Sequence, residues 1–185
     1  MTTYALLLRG INVGRNRRIG MADLRSLLTG EGYQGVATLL QSGNVVLATD
    51  RPRRELRDAV ETAIEKRFGM RVDVILRDRD ELAAVVAHNP LRDVAHDGSR
   101  YAVCFLDEPL TTPLDTLLSG IDPAGDRFAA KGSELYVWCP HGLSKSPVMT
   151  ALSKRTNGPS ATVRNWNTAE KLLSMMDGVP AGTTS

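Results

Sequence analysis

The sequence predicts an α+β protein made of two tandem βαββαβ units with antiparallel sheets. Three observations predict it. Short apolar runs of strand length alternate with segments of helical spacing in the same order twice. Two tight-turn signals, Gln41–Asn44 and Lys131–Ser133, each sit between a pair of such runs and mark one hairpin per half. Several strands, LLLR, VVLA, VILR and AVCFL, are apolar at consecutive positions, which predicts sheets covered on both faces by the other half, by extra helices or by a second chain.

Residues 4–9 form the first strand, and the loop GINVGRNRRIG follows it. Met21, Leu24, Leu27 and Leu28 recur at helical spacing, with Gly30 and Gly32 beyond them as stops. Val36–Leu40 and Val45–Thr49 are hairpin strands around QSGN. Pro52 opens a helix to about Phe68, with Leu56, Val60, Ala63, Ile64 and Arg67 along its inner stripe and Gly69 after it. Val72–Leu76 completes the first unit.

Asp78 and Glu81 have the spacing of a capping box and start a connecting helix, DELAAVVAH, which ends before Pro90. Residues 91–99 are polar and read as a linker. The second unit repeats the order: a strand at 101–106, a short helix opened by Thr112-Pro113, hairpin strands at 127–130 and 134–139, a helix opened by Ser146-Pro147, and a strand at 161–164. Asn167 followed by Glu170 predicts a capped closing helix to about Met176. The tail from Gly178 has no apolar period and is expected to fray. The expected organisation is residues 1–78 as the first unit, 79–99 as connecting helix and linker, and 100–185 as the second unit with its extra helix. Each unit is a split βαβ arrangement of the ferredoxin-like, or α/β plait, type.

A hydrophobic content of 42% and a charged content of 24% are those of an ordinary globular chain. No apolar run approaches the roughly 18 residues of a membrane span, and the start lacks a basic signal-peptide region. The default compartment is then the cytoplasm, with no membrane partner. Cys104 and Cys139 lie in apolar strands without metal-ligand spacing, so buried thiols are expected and no metal. The net charge of +2 is unevenly spread: the first 78 residues carry 13 Lys and Arg against 9 Asp and Glu. Arg9, Arg15, Arg17 and Arg18 concentrate this excess in one loop, which is either a solvated basic loop or a recognition surface.

Five stretches occur in order: RGINVG (9–14), QSGNVV (41–46), HNP (88–90), LSKS (143–146) and TVRNWNT (162–168). In combination they resemble the bacterial domain-of-unknown-function 1697 family over nearly the whole chain. The resemblance implies two ferredoxin-like halves and no established activity. Two positions depart from the family pattern: Arg15 stands where a second glycine is usual, and Leu91 where a phenylalanine is usual.

The candidate site residues come from these stretches. Arg9 and Asn12 lie in a glycine-bearing strand-to-helix loop, where backbone N–H groups and arginines favour an anion. The structural alternative is a turn shaped by Gly10 and Gly14 with Asn12 bonding local backbone. Arg164 can hold a carboxylate or phosphate bidentately, and Asn165 can read an amide or base edge. Against this, Arg164 can pair internally, and Trp166 can be a core anchor. Lys145 precedes a helix beside Ser144 and Ser146, a place for phosphate, although Ser146 alone is explained as an N-cap. Ser42 and Asn44 read as turn residues, because no GxSxG or adjacent base accompanies the serine. His88, His96 and His141 pair with no nucleophile or ligand at motif spacing and read as surface or helix-end residues. No Walker or dinucleotide loop is present, so no cofactor is expected, and no catalytic residue is assigned.

The leading expectation is a binding protein or enzyme for a small anionic, phosphate-bearing ligand held by Arg9, Asn12, Lys145, Arg164 and Asn165. The alternative is a self-associating interaction module, a homo-oligomer without catalysis. Nucleic-acid binding is third. Tyr136 and Trp138 share a strand face, but the aromatic spacing of RNA-binding sheets is missing and the face is expected to be covered.

Overall fold

The computed structural model describes residues 1–179; residues 180–185 of the expected fraying tail lie outside them. In the first half, β1 (Thr2–Leu8), α1 (Met21–Gly30), β2 (Gln34–Leu39), β3 (Asn44–Thr49), α2 (Arg53–Phe68) and β4 (Val74–Asp78) follow in the expected order. Then come α3 (Arg79–His88), β5 (Tyr101–Leu106), α4 (Leu114–Leu117), β6 (Arg127–Lys131), β7 (Glu134–Trp138), a 3-10 turn (Leu143–Lys145), α5 (Pro147–Ser153), β8 (Ala161–Asn165) and α6 (Trp166–Asp177). The strands form two four-stranded antiparallel sheets of order β2-β3-β1-β4 and β6-β7-β5-β8. This is the ferredoxin-like order twice over. The described residues divide into two compact units: Met1–Ala84 with Lys171–Val179, and Val85–Glu170.

In the first unit, alternate strand residues Tyr4, Leu6, Leu8, Val45, Leu47, Val74 and Leu76 join Leu24 and Leu28 of α1 and Leu56, Val60 and Ile64 of α2 in one core. Period-2 alternation in the strands and period-3.6 in the helices place these residues on facing surfaces. Arg67 departs from the predicted stripe: it is exposed, with its guanidinium over the Phe68 ring. In the second unit the corresponding core is Ala102, Cys104, Leu106, Leu135, Val137 and Cys139 with Leu114, Leu118 and Val148. The intervening strand residues are buried as well, namely Ala5, Leu7, Val46 and Ile75 in one unit and Tyr101, Val103, Phe105 and Tyr136 in the other. Both faces of each sheet are therefore covered, as the doubly apolar strands required.

The halves repeat a hydrogen-bond pattern that their sequences conceal. Leu8 N–H donates to Gly43 O and Leu106 N–H to Ser133 O, both at 2.8 Å. The next residues, Arg9 and Asp107, donate to Asp73 O and Ser160 O, both at 3.0 Å. Arg77 faces Ala5 across β1–β4, and Arg164 faces Val103 across β5–β8, which is the same register position in each sheet.

Helix starts show how local chemistry sets the boundaries. The Asp78–Glu81 capping box forms reciprocally: Glu81 N–H donates to Asp78 Oδ1 and Asp78 N–H to Glu81 Oε2, each at 2.9 Å. Ser146 caps α5 by accepting from Met149 N–H at 2.9 Å. The closing helix begins earlier than its Asn167 signal predicts. Asn165 is the cap, its Oδ1 accepting from Thr168 N–H and Thr168 Oγ1, both at 2.9 Å, and Asn167 lies inside the helix. Asn165 ends β8 while Trp166 already joins the helix, so the side chain closest to the free N–H groups is that of Asn165.

Candidate functional site

In the first unit, RGIN and QSGN converge. Asn12 is the junction: its Nδ2 donates to Ile19 O at 2.9 Å and to Gln41 O at 2.7 Å, and its Oδ1 accepts from Ile19 N–H at 2.9 Å. Its own N–H donates to Arg17 O at 2.9 Å, and its backbone sits at φ 54°. Asparagine tolerates that left-handed conformation better than most residues. Gly43 lies beneath, at φ 82°, where a Cβ would come 2.7 Å from both Ile11 Cδ1 and Leu8 Cβ. Only glycine fits there. The Asn12 amide is thus engaged by backbone, while Arg9 is exposed and ion-paired to Asp73 at 3.1 Å.

In the second unit, HNP and RNWNT approach one another through two tyrosines. His88 meets the Tyr136 ring edge-on at 5.7 Å, Tyr136 lies 6.5 Å from Tyr101, and Tyr101 stacks on Trp166 at 4.8 Å. His88 is the last residue of α3, one of the two places expected for it, and is half-buried there, with its Nδ1 3.3 Å from Lys131 Nζ. Burial, then the Lys131 and Arg92 charges, hold its pKa below the ordinary imidazole value. Asn89 sits at φ 29°, and its Oδ1 is buried without a hydrogen-bond partner among the described residues. The Tyr101 hydroxyl lies near the Leu91 backbone without reaching hydrogen-bond geometry, and burial pushes its pKa up to about 12. Tyr101 and Tyr136 are each 1% exposed, so neither offers a free ring for stacking a base.

Arg164 is buried on the same sheet face as these tyrosines, and burial lowers its pKa to about 10. Its Nη1 donates to Thr162 Oγ1 at 2.8 Å and Val163 O at 2.7 Å. Arg77 does the equivalent in the first unit, donating from Nη1 to Leu76 O at 2.8 Å. Each arginine is followed by a helix-capping residue, Asp78 or Asn165. The Arg-Asn pair of RNWNT is therefore the second copy of an architectural device. Sequence reading missed it because only the arginine is common to both copies.

Lys145 stands elsewhere in the second unit. It is exposed and lines an open cavity of about 400 Å³ with Ser144, Thr150, Lys154, Asp122, Ile121 and Ala151. α5, on the rim, packs Val148 into the core on the helix side of the sheet, whereas Arg164 lies on the other face. Lys145 and Arg164 are thus separated by the sheet. Neither Lys145 nor Lys154 has a carboxylate partner among the described residues. Asp122 commits its Oδ1 to Ala124 N–H at 2.9 Å. Beneath the rim, Ser146 Oγ donates to buried Asp126 Oδ2 at 2.6 Å, which also accepts from Val148 N–H at 3.3 Å. Lys154 and Thr150 carried no sequence signal; they join Lys145 only through the path of α5.

Both cysteines are buried and free, and burial pushes the Cys104 thiol to about 12 and the Cys139 thiol to about 11. Among the described residues no cluster of His, Cys, Asp and Glu is arranged to hold a metal, and no helix is long and apolar enough to cross a membrane.

Fold and site define an α+β protein of tandem ferredoxin-like units, in which Asn12, Arg164 and Asn165 are bonded into the frame. The chain belongs to the DUF1697 family, described as proteins of unknown function, whose model matches residues 1–136. A solved structure of a conserved bacterial protein, SP0830 from Streptococcus pneumoniae, is similar with a TM-score of 0.75. It shares 24% identity, over 95% of this chain and 98% of that one, and shows the shared fold. No curated protein matches the chain.

Proposed function

We propose that the protein binds a small phosphate-bearing ligand in the cavity of the second unit. The observation that carries this reading is the pairing of Lys145 and Lys154 on one open cavity with the hydroxyls of Ser144 and Thr150. Two ammonium groups without carboxylate partners among the described residues favour an anion, and the hydroxyls supply directional hydrogen bonds. Ile121, Pro147 and Ala151 add an apolar wall, and Asp122 can accept from a ligand hydroxyl. A sugar phosphate combines these features. Of the residues expected to make contacts, Lys145 carries this reading. Asn12 and Asn165 have their side chains engaged by backbone, and Arg164 lies across the sheet from the cavity.

A thermal-shift series with inorganic phosphate, ribose 5-phosphate and glucose 6-phosphate tests the reading. At least one phosphate ester should raise the Tm of the wild type, and Lys145→Ala/Lys154→Ala should remove the rise. Equal shifts in both proteins would overturn the site, since both lysines are exposed and their loss leaves the core intact.

A further inference from the structure

We propose that the tip of the loop Val13–Arg18 in the first unit is a contact surface for the phosphodiester backbone of single-stranded nucleic acid. The loop stands on two buried legs, Ile11 at 2% and Ile19 at 1% exposure, and Asn12 ties both legs to the Gln41 turn. Between the legs Asn12 is half-buried and residues 13–18 are all exposed. Arg17 is held at φ 59° by three bonds: its carbonyl accepts from Asn12 N–H, its Nε donates to Gly10 O at 2.9 Å, and its Nη2 donates to Arg71 O at 2.6 Å. A left-handed arginine is uncommon and persists only where its surroundings hold it. The effect is a fixed backbone on which Arg15 and Arg18 are exposed, Arg18 Nη2 also donating to Gly14 O at 3.4 Å, with Val13 at 73% exposure beside them.

The charge around the tip is one-sided. No acidic residue occurs between Arg9 and Asp23. Arg17's bond to the Arg71 backbone brings that strongly exposed side chain alongside, and the carboxylates nearby, Asp73 and Glu65, are paired to Arg9 and Arg71. Arg15, Arg17 and Arg18 have no carboxylate partner among the described residues; like charges gathered in this way repel one another, so the arrangement favours a polyanion that neutralises them. The tip offers guanidinium groups and one asparagine amide, so the recognition is of backbone rather than of base sequence. The contact uses a loop, which distinguishes it from sheet-face recognition, where the aromatic rings are buried.

Fluorescence anisotropy with a labelled mixed-sequence RNA 20-mer tests the proposal. Binding at about 50 mM salt should weaken steeply as salt is raised, with log K against log[salt] falling at a slope of about −2 to −3, the value for three or four neutralised phosphates. Arg15→Ala/Arg18→Ala should lower affinity at least about tenfold and flatten the slope by about 1.4. Both side chains are exposed, and an unchanged unfolding midpoint confirms a folded variant. Lys145→Ala/Lys154→Ala should bind RNA like the wild type, which separates this surface from the proposed cavity. No binding at about 50 mM salt, an unaltered slope in the arginine variant, or tighter binding to phosphatidylglycerol vesicles than to RNA would overturn it.

Discussion

The two ferredoxin-like units share a hydrogen-bonded frame but fill it differently. In the first, α1 and α2 span 10 and 16 residues and supply a continuous aliphatic cover. In the second, α4 and α5 span only 4 and 7 residues, and loop and turn residues such as Leu110 and Leu143 complete the core. The opposite sheet face is aliphatic in the first unit, around Ala5, Leu7, Val46 and Ile75, and aromatic in the second, around Tyr101, Phe105 and Tyr136. The difference teaches that backbone pairing fixes the plait while helix length and face chemistry are free to diverge. It also locates the distinctive chemistry: a braced arginine loop in the first unit, and a lysine cavity and a histidine–tyrosine row in the second.

The sharpest way to break the comparison is at the hairpin turns. Gly43→Ala places a Cβ against Leu8 and Ile11 at a left-handed backbone, and should cost about 3–5 kcal/mol in urea unfolding. Ser133→Ala, at the corresponding turn of the second unit, should cost under about 1 kcal/mol. Comparable losses would show that the turns bear equal packing demands.

Next in size is the loop junction. Asn12→Asp sets carboxylate oxygens against the carbonyls of Ile19 and Gln41 and should cost roughly 2–3 kcal/mol. Asn12→Gly, which keeps the backbone conformation and loses the bonds, should sit between this variant and the wild type. Chemical denaturation ranks the three.

The repeated caps should behave alike. Asp78→Ala and Asn165→Ala should each cost about 1 kcal/mol, whereas Asn165→Asp should be within about 0.5 kcal/mol of wild type, because aspartate caps as well as asparagine. A much larger loss at Asn165 than at Asp78 would end the equivalence of the two strand-to-helix junctions.

The smallest effect concerns protonation in the second unit. His88 should titrate by NMR below the ordinary imidazole midpoint, and Lys131→Met should move it upward by removing a nearby positive charge. Since its folded pKa lies below the unfolded value, the unfolded state takes up the proton first as pH falls. Its contribution to stability is present above about pH 6.5 and is lost as pH falls through the folded pKa. His88→Gln should therefore be less sensitive than wild type to acidification across that window, as followed by Tm.

Much of the fold was legible because strand and helix signals are local. The turn at Gln41–Asn44, the capping box at Asp78–Glu81 and the Ser146-Pro147 start declare themselves within a few residues. The closing helix shows the limit of such signals: Asn165 and Asn167 are both good caps, and the end of β8 selected the earlier one. The candidate site was less legible. Asn12 looks like a ligand contact until Gln41, 29 residues away in sequence, occupies its amide. Lys154 looks like any surface lysine until α5 sets it beside Lys145. The Arg77–Arg164 equivalence is visible only through pairing with β1 and β5, because register is a property of two strands and not of one.

By itself, the sequence determined the alternation of strands and helices, the two hairpins, the doubly covered sheets and the basic character of the first loop. Those follow from hydrophobic period, turn chemistry and charge, which act over short spans of chain. Tertiary structure alone decided which polar side chains are spent on the frame and which face solvent. A buried amide or guanidinium must satisfy its hydrogen bonds wherever partners lie, and those partners come from strands and turns far apart in the chain.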